Sequence, residues 1–364
     1  MNDPTAVIVG LDPAATPEGT AVEAFAPGRV NLIGEHTDYT GGLALPMAID
    51  MGTTVRGVRA TTSVRLTSSD AAGMVEIPDV TAPIDDPAAT DPPWGAYVAA
   101  VIDGLTRRGQ GSGFDGVITS TLPIGAGLSS SASLELAVAL ALGFHGSTAD
   151  LARLGQDAEQ RASGVPCGLM DQLSSACGLP GHCLLIDFST SAVTAVPMSD
   201  DIEVVVVHSG QSRTLAGSAY ARRRAECEAA AEQVGPLRHA DLAGVNTIPD
   251  AVVRRRARHV VTENQRVLDM VAALDAGDAV GAGSILTASH RSLADDFEVS
   301  TDILDTLVAR LEAIDGVFGA RLTGAGFGGC VVALTAPGTL TPSDGVWPVR
   351  PAGGATVTGT FEIH

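Results

Sequence analysis

Residues 29–39, Arg29-Val30-Asn31-Leu32-Ile33-Gly34-Glu35-His36-Thr37-Asp38-Tyr39, pack a cation, two carboxylates and an imidazole between apolar Val30, Leu32 and Ile33. Carboxylates beside His and Asn offer paired acceptors and donors, which suits the hydroxyls of a sugar. Glu35, His36 and Asp38 can also be read as metal ligands, although their spacing is not that of a known zinc site. Residues 122–142, LPIGAGLSSSASLELAVALAL, run a strand into Gly125-Ala126-Gly127 and then into three serines at a helix start. This is the construction of an anion site: glycines let N–H groups approach a phosphate, the helix end adds positive charge, and hydroxyls reach phosphate or metal. The same residues fit a plain glycine turn with serine caps.

Two further stretches stand out. Residues 164–172, GVPCGLMDQ, place Asp171 among small and apolar neighbours, where a helix cap is favoured over a general base on the residues alone. Residues 324–329, GAGFGG, match the GxGxxG spelling of a dinucleotide fold, but Cys330 to Leu334 continue as a strand pattern, so the strand-turn-helix order is missing. A glycine-rich loop closing on a ligand is the preferred reading, with a simple β-turn as the alternative.

The elements that must position these residues follow from periodicity. Residues 21–26 read as a strand with a turn at Pro27-Gly28, 43–59 as further strand, 75–93 as a surface connection, 94–105 as a helix and 116–121 as a strand. Leu134, Ala137, Val138, Ala141 and Leu142 repeat as a buried helix face, with Ser129 to Ser131 at its amino end. Residues 203–207 read as a buried strand, and 219–234 and 251–281 as long helices of a more helical second half. The boundary is placed near 190, giving domains 1–190 and 191–364.

Composition narrows the function. Length allows about two domains at roughly 150 residues each, and 45% hydrophobic with 18% charged residues describes a chain that folds. The formal charge of −20 opposes nucleic acid and anionic membranes. All 22 basic residues are Arg, so a P-loop lysine and Schiff-base chemistry are excluded. Cys167, Cys177, Cys183, Cys227 and Cys330 form no CxxC pair and read as reduced thiols of a cytoplasmic protein. No secretory signal and no membrane span are expected. The clusters Arg222–Arg224 and Arg254–Arg256 with Arg258 read as solvated helix faces, paired with Glu226, Glu228 or Glu263, rather than as an RNA surface.

Taken together, the stretches resemble the GHMP small-molecule kinases. Residues 26–42, APGRVNLIGEHTDYTGG, are similar nearly residue for residue to the signature of that family's galactose-phosphorylating branch. Residues 122–133 resemble its phosphate motif and 322–330 its third motif, while 164–172, 209–224 and 289–300 are also similar, so the likeness runs from about 21 to 335. The resemblance implies an α+β two-domain fold. Its N-terminal domain would have a mixed sheet and a left-handed βαβ crossover, its C-terminal domain would be ferredoxin-like, and the site would lie in the cleft between them.

It further implies transfer of the ATP γ-phosphoryl group to the anomeric hydroxyl of galactose, giving galactose 1-phosphate and ADP, with Mg²⁺ as cofactor and the chain acting as a monomer in galactose catabolism. By the same resemblance Asp171 is the catalytic acid position, taking or orienting the hydroxyl proton, and Arg29 is its partner. Arg29 and Asp171 with Glu35, His36, Asp38, Gly168 and Tyr220 would hold the sugar, and Ser131 and Glu159 the metal. Trp94 would lie near adenine, and Pro123, Gly125, Ala126, Gly127, Leu128, Ser129, Ser130, Ser131, Ala132 and Ser133 would cradle ATP.

Two features depart from the family pattern. Thr40 stands where Asn is usual, and the tail after Leu334 is too short and too rich in Pro and Gly for a helix before the last strand, which would expose one face of the second domain. A kinase for another sugar, N-acetylgalactosamine or L-arabinose, and a non-catalytic galactose/ATP sensor are the competing readings. The complete serine run and Asp171 argue for catalysis.

Overall fold

The computed structural model describes residues 7–8, 17–123, 125–211 and 216–359. Its first half contains β1 (Val7–Ile8), β2 (Ala21–Asn31), β3 (Leu43–Ala44), β4 (Pro46–Ala60), β5 (Val64–Ser68), β6 (Met74–Ile77), α1 (Gly95–Thr106), β7 (Gly113–Ser120), α2 (Ser130–Ala141), β8 (Gly146–Ser147), α3 (Thr148–Ser163) and α4 (Met170–Cys177). There follow β9 (His182–Asp187), β10 (Ala192–Pro197), β11 (Glu203–His208), α5 (Ala216–Val234), α6 (Leu242–Val245), α7 (Ala251–Asp275), α8 (Ala279–Asp295), α9 (Asp302–Glu312), β12 (Val317–Thr323), β13 (Cys330–Thr335), β14 (Val346–Val349) and β15 (Thr356–Gly359).

The first half is built on a six-stranded sheet of order β15-β2-β4-β7-β5-β6, in which β5 and β7 run parallel through a crossover holding β6 and α1. Helices α1 to α4 cover it, and α2 is buried on almost every side rather than along one stripe, because Ala and Leu leave it no polar face to turn to water. Pro27-Gly28 does not end a strand as its composition suggests. Strand β2 runs through it with a register shift between Pro27 and Arg29, a bulge that re-aims the residues after it. Residues 75–93 also include paired strand, since β6 lies at the sheet edge.

The second half carries an antiparallel sheet of order β12-β13-β11-β14 under α5, α7, α8 and α9. Numbered within this half, the order is 2-3-1-4, the ferredoxin-like arrangement, and no helix intervenes between β13 and β14. The face expected to be exposed is instead covered by the first half. Val204, Val206, Val332, Leu334 and Val349 are buried with Val30, Leu32, Met47 and Ile49 in one core cluster. The chain then crosses back, bridging Ile49 to Pro351 and pairing β15 with β2. A division at 190 cuts the β9–β10 hairpin and separates β15 from its sheet, because composition registers helical content and not strand pairing.

The Arg clusters are only partly solvated. Arg222 and Arg224 reach Glu226 and Glu228 at i,i+4, each at 3.0 Å, as expected. Arg256 is instead buried, bonded to Glu226 and Glu298, and Glu263 is fully buried. Among the described residues no helix is long and apolar enough to cross a membrane.

Candidate active site

The bulge in β2 delivers Arg29 to the centre of the site. Its Nε and Nη2 donate to Asp171 Oδ1 at 2.9 and 2.7 Å, and its Nη1 donates to the Gly127 carbonyl at 2.9 Å. Ser129 Oγ donates to the other carboxylate oxygen of Asp171 at 2.6 Å. Asp171 sits inside the first turn of α4, whose N-cap residue is Leu169, so it is not the cap that local composition favours. Its carboxylate is spent on the cation and the hydroxyl, which are tertiary neighbours that a local reading cannot see.

This pair joins two parts of the site. On one side is a cavity of about 320 Å³ lined by Arg29, Glu35, His36, Asp38, Glu159, Gly168, Asp171 and Tyr220, all of them expected, together with Ser163, Val165, Cys167, Met170, Gly324 and Ala325. On the other is the loop before α2, where Gly125 and Gly127 adopt φ of 76° and 73° and Ser129 is itself left-handed at 61°. A serine there is strained, and its bond to Asp171 holds it. Gly125 and Ser130 are exposed, whereas the side chains of Ala126, Leu128 and Ala132 are buried in the core. Ser133 donates to Ala26 O at 2.7 Å and accepts from Thr53 N at 2.9 Å. These four side chains are committed to packing and to the sheet, so what they can offer a phosphate is backbone N–H. Trp94 stands at the start of α1, outside the cavity wall, with its indole N–H donating to Ala72 O at 3.2 Å.

Within the cavity wall the charges are individually restrained. Glu35 Oε1 accepts from Arg321 Nη2 and Gly324 N, each at 2.6 Å, and from Thr323 Oγ1 at 3.3 Å. Its carboxylate therefore answers a buried arginine, which disfavours the metal-ligand alternative for residues 35–38. Among the described residues no cluster of three metal-ligating side chains occurs. His36 lies 3.0 Å from Tyr39 Oη and 3.2 Å from Ala325 O, and burial, reinforced by His259, pushes its imidazole down to about 3. Asp38 is raised to about 7, first by burial and then by the charge of Asp171. A Cβ on Gly168 would stand 1.6 Å from Asp38 Oδ2, so glycine is required for that carboxylate to reach the wall. Burial also lifts the Tyr220 hydroxyl above the ordinary tyrosine range.

Ser131 Oγ donates to Glu159 Oε1 at 2.8 Å, and Gln172 Nε2 to Glu159 Oε2 at 2.6 Å. Burial and the neighbouring Asp171 raise Glu159. Arg321, Gln172 and the buried Glu135 carry no distinct sequence signal, the first being one arginine in a strand and the other two lying on apolar helices. Part of the 209–224 stretch, residues 212–215, lies outside the described residues.

A strained glycine-serine loop at a helix amino end, an Arg-bound aspartate and a polar cavity between two half-domains define a GHMP small-molecule kinase. The GHMP kinase N-terminal domain matches residues 96–179, the GHMP kinase C-terminal domain residues 270–340, and the galactokinase galactose-binding signature residues 15–57. The structure of Lactococcus lactis galactokinase complexed with galactose is 33% identical, covering 92% of this chain and 95% of that one at a TM-score of 0.84. The mevalonate kinase of Methanococcus jannaschii, 20% identical over 92% of this chain and 99% of its own at a TM-score of 0.65, shares the fold. The chain belongs to the galactokinase family.

Proposed function

We propose that this enzyme transfers the γ-phosphoryl group of ATP to the anomeric hydroxyl of galactose, with Asp171 and Arg29 as its catalytic residues. The observation that carries this reading is the Arg29–Asp171–Ser129 constellation, which joins the polar cavity to the phosphate loop. A sugar hydroxyl docked beside Asp171 meets a carboxylate already oriented by a guanidinium and a hydroxyl, so little reorganisation is needed at the moment of transfer. Asp171 accepts the proton as the oxygen–phosphorus bond forms; through a loose transition state this transfer comes late, and the carboxylate acts first by orienting the nucleophile. Arg29 stabilises the attacking oxygen. Glu35, His36, Asp38 and Tyr220 hold the remaining hydroxyls, and Trp94 flanks the adenine.

With no lysine in the chain, phosphate charge is met by the N–H groups of residues 125–131, the amino end of α2, and Arg29. Ser131 and Glu159 are adjacent oxygen donors, which fits Mg²⁺, a hard ion that takes its remaining ligands from phosphate and water. When bound there, it would supply charge neutralisation to the phosphates. The enzyme works as a cytoplasmic monomer.

The test is ADP release with Mg-ATP and a sugar panel, comparing wild type with Asp171→Asn. Turnover on galactose that falls by about 10²–10⁴ in the variant is expected. Turnover on another sugar alone overturns the specificity, and binding of galactose and ATP without turnover would make the protein a sensor.

A further inference from the structure

Behind Glu35 in the sugar cavity lies a buried line of alternating charge, Arg321, Glu263 and Arg266, that the mechanism does not use. Arg321, fully buried on β12, donates from Nη2 to Glu35 Oε1 at 2.6 Å and places Nη1 3.7 Å from Glu263 Oε1. Glu263, fully buried on α7, also accepts from Gly34 N at 3.0 Å and Ser289 Oγ at 2.6 Å, and its other oxygen accepts from Arg266 Nε at 2.7 Å. Burial alone would raise Glu263, but Arg266, His259 and Arg321 outweigh it and bring it down to about 2. The order carboxylate, guanidinium, carboxylate, guanidinium leaves no buried charge uncompensated, which is the condition under which such groups survive away from water.

The same helix holds the signature loop at two more points. His259 Nε2 lies 3.2 Å from the Glu35 carbonyl and Asn264 Oδ1 accepts from Leu43 N at 2.8 Å. His259 and Glu263 stand one turn apart on α7 at i,i+4, and Asn264 follows directly after Glu263. All three bonds to the Glu35 carboxylate fall on Oε1, while Glu35 lines the cavity.

We infer that Arg321 and Glu263 are positioning residues for sugar recognition: the line from Arg266 to Glu35 fixes the Glu35 carboxylate by Oε1 so that Oε2 is presented to a sugar hydroxyl. Neither touches the cavity, and both act through Glu35. The arginine fork matters, since a lysine keeps the charge but cannot reach both carboxylates in one plane. The inference rests on the sugar-kinase reading above.

The experiment measures galactose Kd by calorimetry, and the KM for galactose and for ATP separately, in Arg321→Met, Arg321→Lys, Glu263→Gln, Glu35→Gln and Arg321→Lys/Glu35→Gln. Galactose Kd is expected to rise about thirtyfold in Arg321→Met and less than tenfold in Arg321→Lys, with ATP KM within about twofold of wild type. In the Glu35→Gln background, Arg321→Lys adds less than about twofold, because its effect passes through the group already removed. Full additivity in that cycle, parallel rises in both KM values, or an unchanged galactose Kd would each overturn the inference. If Arg321→Met does not fold, Arg321→Lys and Glu263→Gln carry the test. If the wild type acts only on another sugar, the galactose reading fails, and the same cycle on that sugar still tests the line.

Discussion

On the sugar side of the site, Glu35 and His36 are held by partners far along the chain, Arg321 at 286 residues and Ala325 at 289. On the phosphate side, the loop before α2 is held within the first half, Gly127 O by Arg29 at 98 residues and Ser133 by Ala26 O at 107, much of it through backbone carbonyls. The phosphate side is built mostly from N–H groups and hydroxyls at a helix start, which local geometry provides, with Arg29 and Glu159 added from other elements of the same half. The sugar side must aim several charges at once in a buried wall, and only a second half folded against the first supplies their counter-charges. Specificity here depends on how the halves dock; phosphate handling depends on elements of the first half alone.

Gly168→Ala breaks the sugar side hardest. The new Cβ occupies the position of Asp38 Oδ2, so Asp38 must swing off the wall, and galactose KM should rise about 10–100-fold with ATP KM little changed. Steady-state kinetics on both substrates checks this; equal losses on both would mean the two sides are not separable.

Ser131→Ala acts on the phosphate side alone. Loss of its bond to Glu159 should raise ATP KM about five- to tenfold and shift the Mg²⁺ dependence, while galactose Kd by calorimetry stays put.

The comparison sharpens with pH. Asp38 is lifted from 3.8 to about 7 by burial and by Asp171, so the folded chain keeps a proton that the unfolded chain has lost. Its stabilising contribution is complete below about pH 4 and disappears as the pH rises through about 7. Between pH 5 and 8 the Tm of sugar-free wild type should therefore fall a few degrees further than that of Asp38→Asn, as a scanning melt would record.

The smallest effect belongs to the solvated helix face. On α3, Arg153→Ala removes an exposed pair with Asp150 and should cost about 0.3–0.5 kcal/mol, a Tm change near the limit of detection, with both KM values unaltered.

Much of this arrangement was legible beforehand. The density of charge in 29–39, the glycine-serine run and the glycine loop 324–329 each announced a ligand, and the seven residues that the family likeness assigns to the sugar line one cavity together with Glu159. Asp171 shows the limit: alone among small residues it reads as a cap, and only the arrival of Arg29 and Ser129 from other elements makes it a poised carboxylate. Glu263 shows the converse, since a glutamate among arginines on a helix reads as solvated, yet docking of β12 and the signature loop buries it completely.

Residue types and their short spacings set the chemistry available: no lysine, a phosphate-cradling loop, a polar signature suited to a sugar, and the alternation that makes strands and helices. These are local properties, carried by residue type and by spacings of a few positions. Tertiary structure alone decided which charges face the cavity and which are neutralised behind it, that the first half covers the sheet face left without a helix, and that the chain's last described strand returns to the first sheet. Those outcomes depend on desolvation and pairing between groups hundreds of residues apart, and nothing in a short window of sequence encodes the distance between them.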